Sequence, residues 1–215
     1  MDNELLQKIR ICLKKLIDNK IVKKFMLNTS SKNLEEFRQD CKKHGLVDKD
    51  KNDKSQDETC LENLIGKEIK RCTRYTLIKR PKSSNFFRKQ NRELDIALSD
   101  SEGNIKVVIE IKLNYSSKSW GWDEAIIQTL MDALSYPKRC RIIIMFDKVL
   151  KGNLSKNEKS FLEKLNKEYK VYYFRYYLND GEVTYETNLP KGLCQQFWEP
   201  VRKFLSSLKE GFKSY

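Results

Sequence analysis

One run of seven residues constrains the fold of this chain more than any other. Cys140 to Phe146 reads CRIIIMF. It is apolar almost throughout and lacks the alternation of a strand with one wet face. A continuous run of this length fits a strand covered on both faces. Upstream, KVVIEIKL (residues 106–113) is a second strand, rich in Val and Ile. Between them, WGWDEAIIQTLMDALSY (120–136) reads as a helix that ends before Pro137.

The stretch before residue 106 completes the pattern. RELDIAL (92–98) alternates as a strand does, and SDSEGN turns the chain at Gly103 into 106–113, giving an antiparallel hairpin. CTRYTLIK (72–79) is an earlier strand. Before it, residues 56–70 form a helix with Leu61, Leu64, Ile65 and Ile69 as its buried stripe. The order is helix, three-stranded meander, helix, strand. It predicts an α/β fold: a mixed sheet flanked by helices.

The flanks are helical too. Residues 4–24 place Leu5, Leu6, Ile9, Leu13, Leu16 and Ile17 at helical spacing, and NLEEFRQDCKKH ends at Gly45. Residues 1–46 are expected to be an N-terminal helical pair. The charged stretch VDKDKNDKSQD (47–57) is expected to be a linker, and 58–215 the α/β domain. That domain continues with a helix opened by a Ser155/Glu158 capping box, an aromatic strand KVYYFRYYL, a turn NDGE (179–182) and a strand VTYET. A last helix is expected over about 191–209.

Charge and composition narrow the function. There are 43 Lys and Arg against 30 Asp and Glu, a net charge of +13. A globular chain this basic meets a polyanion, and nucleic acid is the commonest. No apolar run approaches membrane-spanning length, and MDNELLQKIR has no signal-peptide core, so no membrane partner is expected. The six cysteines show no C-x-x-C spacing, which argues against structural zinc. With the chain length, this predicts reduced thiols in a cytoplasm-like compartment. There is one histidine, His44, at an expected helix C-terminus. Mechanisms that need imidazole in several roles are thereby excluded.

Glu110 and Lys112 stand two apart on a strand, so both leave one face while Ile109 and Ile111 leave the other. Charges on an interior strand are costly to desolvate and call for compensation. Asp95, on the hairpin partner, is a second carboxylate within reach of Glu110. A divalent cation resolves such a pair, and magnesium takes one or two carboxylates together with substrate phosphate and water. The bland reading is a cross-strand ion pair.

This arrangement resembles the PD-(D/E)XK nuclease superfamily, which includes restriction endonucleases and archaeal Holliday-junction resolvases. Asp95 in ELDIAL and Glu110-Ile111-Lys112 in VIEIK carry the likeness, which spans roughly residues 56–146. Leu94 stands where the family's proline often is. The resemblance implies a restriction-endonuclease-like core with extra N- and C-terminal helices. It implies Mg2+, with Mn2+ as a substitute, held by Asp95 and Glu110, and Lys112 as the group that orients water. Many members add a glutamate on the preceding helix. Glu58 fits that pattern and also fits a capping box with Ser55; Glu62 is the substitute, and Glu68 lies near the helix end. Gln128, on the following helix, either supports the site or is an ordinary polar position.

DNA is the expected substrate, held by basic residues Arg80, Lys82, Arg88, Lys89 and Arg92, together with Lys79. Phe86 and Phe87 either stack on a base or anchor their loop. Cutting both strands of a duplex or junction makes a homodimer the expected assembly.

Overall fold

The computed structural model describes residues 3–27, 31–47, 55–79, 82–84, 91–93, 95–114, 121–135, 139–150 and 152–191. Four helices come first: α1 (Asn3–Lys15), α2 (Lys20–Leu27), α3 (Ser31–Lys43) and α4 (Ser55–Cys72). Then follow β1 (Thr76–Lys79), β2 (Lys82–Ser84), β3 (Asn91–Glu93), β4 (Ile96–Ser99) and β5 (Ile105–Asn114). The rest is α5 (Gly121–Ser135), β6 (Cys140–Asp147), α6 (Lys156–Tyr169), β7 (Val171–Asn179) and β8 (Glu182–Thr187). The expected linker falls mostly outside the described residues, and the expected C-terminal helix falls almost wholly outside them, as do Phe86 and Phe87.

The expected first helix is broken. A single 3-10 turn, Leu16–Asp18, ends α1, and Asn19 restarts the chain. The Asn19 side chain accepts the Ile21 N–H at 2.9 Å, the local bonding by which Asn competes with a helix interior. α3 stops as its sequence predicts. Gly45 takes φ +59°, and the N–H groups of Gly45 and Leu46 return to the carbonyls of Lys42 and Cys41. α6 carries the expected capping box, with Ser155 and Glu158 satisfying each other's backbone N–H.

Six strands form one mixed sheet in the order β1-β4-β5-β6-β7-β8. β4 is antiparallel to both its neighbours, β1 and β5; β5, β6 and β7 are parallel, and β8 closes as a hairpin on β7. Parallel neighbours need crossovers, which α5 and α6 supply. The β7–β8 turn uses Asp180 and Gly181, both at positive φ, as a two-residue hairpin loop demands. RELDIAL is not one strand. β3 pairs with β2 in a separate ribbon, and β4 begins only at Ile96.

β6 is buried along its whole length, as its apolar run requires. Ile142, Ile144 and Phe146 face a large cluster shared with α1, α2, α3 and α4. Ile143 and Met145 face a smaller one under α5 and α6. The N-terminal helices thus have no core of their own. Phe25 of α2 packs edge-on against Phe146 at 5.8 Å, and the Tyr176 hydroxyl donates to the Leu13 carbonyl at 2.8 Å. The aromatic run of β7 is likewise sheet core, since Tyr172, Tyr173, Phe174, Tyr176 and Tyr177 are all buried.

The expectation of six reduced thiols is corrected. Cys12 pairs with Cys72, and Cys41 with Cys60, as disulfides with Cα–Cα distances of 6.3 and 5.9 Å. Both tie an N-terminal helix to α4. Cys140 is free and buried. Spacing along the chain says nothing about cysteines that tertiary packing of separate helices brings together. Among the described residues, no helix is long and apolar enough to cross a membrane.

Candidate active site

The site forms where β5 outruns its neighbour. β4 pairs with β5 only as far as Ile96 opposite Ile109. One further step in that register sets Asp95 opposite Glu110. Opposite residues of an antiparallel pair share a face. Asp95 ends the ladder with its side chain: Oδ2 accepts the backbone N–H of Ile111 at 2.6 Å, a donor that β4 no longer reaches. The sheet thereby fixes the Asp95 carboxylate beside the end of the strand pair.

On β5, Glu110 and Lys112 lie beside Ile143 and Met145 of β6, on the face covered by α5 and α6. Glu110 is 3% exposed. Lys112 Nζ lies 3.2 Å from Glu110 Oε1. It lies 3.8 Å from Oε1 of Glu58, in the first turn of α4, and 3.5 Å from Oε1 of Glu124, in the first turn of α5. Helices of both layers thus send a carboxylate to one ammonium at the open end of the β4–β5 ladder.

The electrostatics follow. Burial by itself would push the Lys112 ammonium down. The charges of Glu110, Glu58, Asp95 and Glu124 outweigh it and hold the pKa above the usual 10.5. Lys112 is therefore charged at neutral pH. Four carboxylates face one ammonium, so the cluster keeps an excess of negative charge and hard oxygen donors. Oxygens of this kind are the donors that hard divalent cations take. Among the described residues, no group of three or more His, Cys, Asp or Glu side chains is placed to hold a metal ion.

Of the expected residues, Asp95, Glu110, Lys112 and Glu58 come together. Glu62 is buried on α4 but is not among the carboxylates around Lys112. Glu68 lies near the far end of the helix and pairs with Arg71 at 2.6 Å. Gln128 joins the site indirectly, donating from Nε2 to Glu124 Oε1 at 2.8 Å. Arg80, Arg88 and Lys89 lie outside the described residues. Lys82 and Arg92 are placed by backbone alone, on the β2–β3 ribbon, whose β2 strand approaches α5.

Glu124 was not singled out from the sequence. Acids in the first turn of a helix ordinarily complement its dipole, and Asp123-Glu124 reads that way. The usable signal was Gln128, one turn on, because side chains at i and i+4 share a helix face. Also unforeseen is a buried cluster at the ends of β5 and β6, reached by Arg175 from the middle of β7. Asp147 accepts from Arg175 Nε at 2.9 Å and Asn114 Nδ2 at 2.9 Å, and Arg175 Nη1 reaches Glu186 at 2.7 Å. Its bonds cross four strands, so this cluster ties β5 and β6 to β7 and β8.

No protein-family model, curated protein or solved structure matches this chain.

Proposed function

We propose that the protein is a metal-dependent nuclease that hydrolyses DNA phosphodiester bonds. The observation that carries this reading is the convergence of Asp95, Glu110 and Glu58 on Lys112 from three separate elements, in a strongly basic chain. The element order supports it. α4, three antiparallel strands, α5 and the parallel strand β6 follow the restriction-endonuclease-like order, with the β2–β3 ribbon inserted.

Asp95 and Glu110 would hold Mg2+ or Mn2+, with substrate phosphate and water completing the shell. Bound there, the metal supplies charge neutralisation at the scissile phosphate and lowers the pKa of a coordinated water. The chain's own residues do the rest. Lys112, charged and held by its carboxylate ring, donates hydrogen bonds toward the phosphate and the attacking water. Its positive charge offsets the negative charge that grows on the phosphoryl oxygens. Glu124, steadied by Gln128, limits where the ammonium can sit. The backbone of Ile111 keeps the Asp95 carboxylate from turning away.

A second reading, a nucleic-acid-binding protein without catalysis, is favoured by one observation. The 3.2 Å contact of Lys112 with Glu110 already neutralises part of the cluster. One experiment separates the two. The protein is incubated with supercoiled, linear, single-stranded and four-way-junction DNA, in magnesium, in manganese and in chelator. Metal-dependent cleavage that is lost in Lys112→Ala supports the nuclease. Binding without cleavage in any metal supports the second reading. Sedimentation of the same preparation with and without DNA tests the homodimer.

A further inference from the structure

A groove of about 790 Å³ runs between the C-terminal half of α4 and β1. Its rim carries Lys67, Lys70, Arg74 and Lys79, and all four side chains are exposed. Lys67 donates only to the His44 carbonyl, at 3.2 Å, and Lys79 to Asn63 Oδ1, at 2.5 Å. Among the described residues, none of the four is paired with a carboxylate. In a chain with 30 acidic residues, four unpaired cations around one concavity are a concentrated positive field. The floor is shaped by Gly66: a Cβ there would lie 3.2 Å from Leu77 Cδ1.

The dimensions select the ligand. β1 and the residue before it span about 13 Å at the rise of a strand. A concavity of about 790 Å³ over that length is the size of a few nucleotides and far smaller than the body of a duplex. One polynucleotide strand fits. At one phosphate per 3.4 Å, such a length meets at most about four phosphates, as many as the cations present.

The groove also leads somewhere. Glu58, which touches Lys112, and Gly66 are on the same helix, about 12 Å apart along its axis. At the other wall, Lys79 pairs with Ile96, which pairs with Ile109 beside Glu110. Two strand spacings, about 10 Å, separate it from β5.

We propose that this groove is a channel for a single nucleic-acid strand, gripping its phosphates on the path to Lys112. The destination of the strand rests on the nuclease reading; the grip does not. The test is fluorescence anisotropy with a labelled single-stranded 30-mer and its blunt duplex, in chelator, over a salt series. The variants are Lys70→Glu/Arg74→Glu and, as a control of equal charge on α6, Lys164→Glu/Lys167→Glu. Lys70→Gln/Arg74→Gln, with melting curves, guards against misfolding.

The groove pairs should weaken single-strand binding at least tenfold near 0.1 M salt. They should flatten the slope of log K against log salt by about 1.4, two contacts at 0.7 each. The α6 pair should leave the slope unchanged. Equal losses in both pairs, no loss in the groove pairs, or binding of anionic phosphatidylserine vesicles in preference to the strand would overturn the channel. Loss of strand binding in a protein that cuts no DNA in any metal would leave the channel standing and remove the nuclease. Metal-dependent cleavage with unaltered binding in the groove variants would do the reverse.

Discussion

Lys112 is both the centre of the site and the ion-pair partner of Glu110, which is 3% exposed. Lys112→Ala is expected to cut cleavage by about 10²- to 10³-fold, the usual cost of losing one donor to a developing oxyanion. It should also lower stability, by less than about 3 kcal/mol, because the site opens to solvent on one side. Single-turnover rates and urea midpoints on the same preparation measure the two losses. Lys112 has a folded pKa above 10.5, so its stabilising contribution is fully present below that value and lost only as pH rises past the raised one. The destabilisation by Lys112→Ala should therefore stay constant from about pH 6 to 9. Glu124 acts through Lys112. Glu124→Gln should slow kcat by about 10- to 100-fold with little change in KM or thermal midpoint. A loss of stability without a loss of rate would show Glu124 to be structural only.

At the scale of elements, β7 is the strand most sensitive to alkali. Burial pushes the Tyr173 phenol up to about 12 and that of Tyr176 well above its usual range, with Tyr172 and Tyr177 also raised. A phenol whose folded pKa is raised contributes stability below its ordinary value of 10, lost as pH climbs toward the folded value. The protein should unfold cooperatively between about pH 10 and 12, with the β7 phenolates appearing in the same transition as loss of near-ultraviolet circular dichroism. Phenolates that titrate near pH 10 with that signal intact would contradict the buried placement. β7 was also legible in the sequence, because its aromatic run and NDGE turn are local signals. So were β6, the α6 cap, and the shared face of Glu110 and Lys112, all of which depend on residues within a few positions. What the sequence hid was longer in range. The break at Asn19 hangs on one side-chain bond competing with helix continuation. The end of β4 at Ile96, which makes Asp95 an edge carboxylate, depends on the β2–β3 ribbon drawing residues 91–93 elsewhere. Glu124 looked like ordinary helix-start chemistry because only tertiary packing aims it at Lys112.

Over the whole molecule, the disulfides and the shared core decide how the N-terminal helices are held. Cys41–Cys60 closes a loop of 19 residues and Cys12–Cys72 one of 60. Chain-entropy arguments assign about 3 and about 4 kcal/mol to loops of these sizes. Reductant should lower the urea midpoint accordingly, and Cys41→Ser/Cys60→Ser should reproduce the smaller share. An unchanged midpoint would mean that helix packing alone fixes α1 and α3 on α4. The sequence suggested an N-terminal helical pair ahead of a linker, and charge patterning of that kind carries no signal of where each helix buries its apolar face. Here α1, α2 and α3 bury theirs against α4 and the sheet.

The bond from the Tyr176 hydroxyl to the Leu13 carbonyl spans 163 residues of chain. During synthesis the first helix leaves the ribosome long before β7 exists to receive it. Until then its apolar stripe can pack only on α4 and the strands already made, so its burial stays incomplete. Contacts of such separation slow folding, because loop-closure entropy is lost before they form. The contact between α1 and β7 is thus among the last to form.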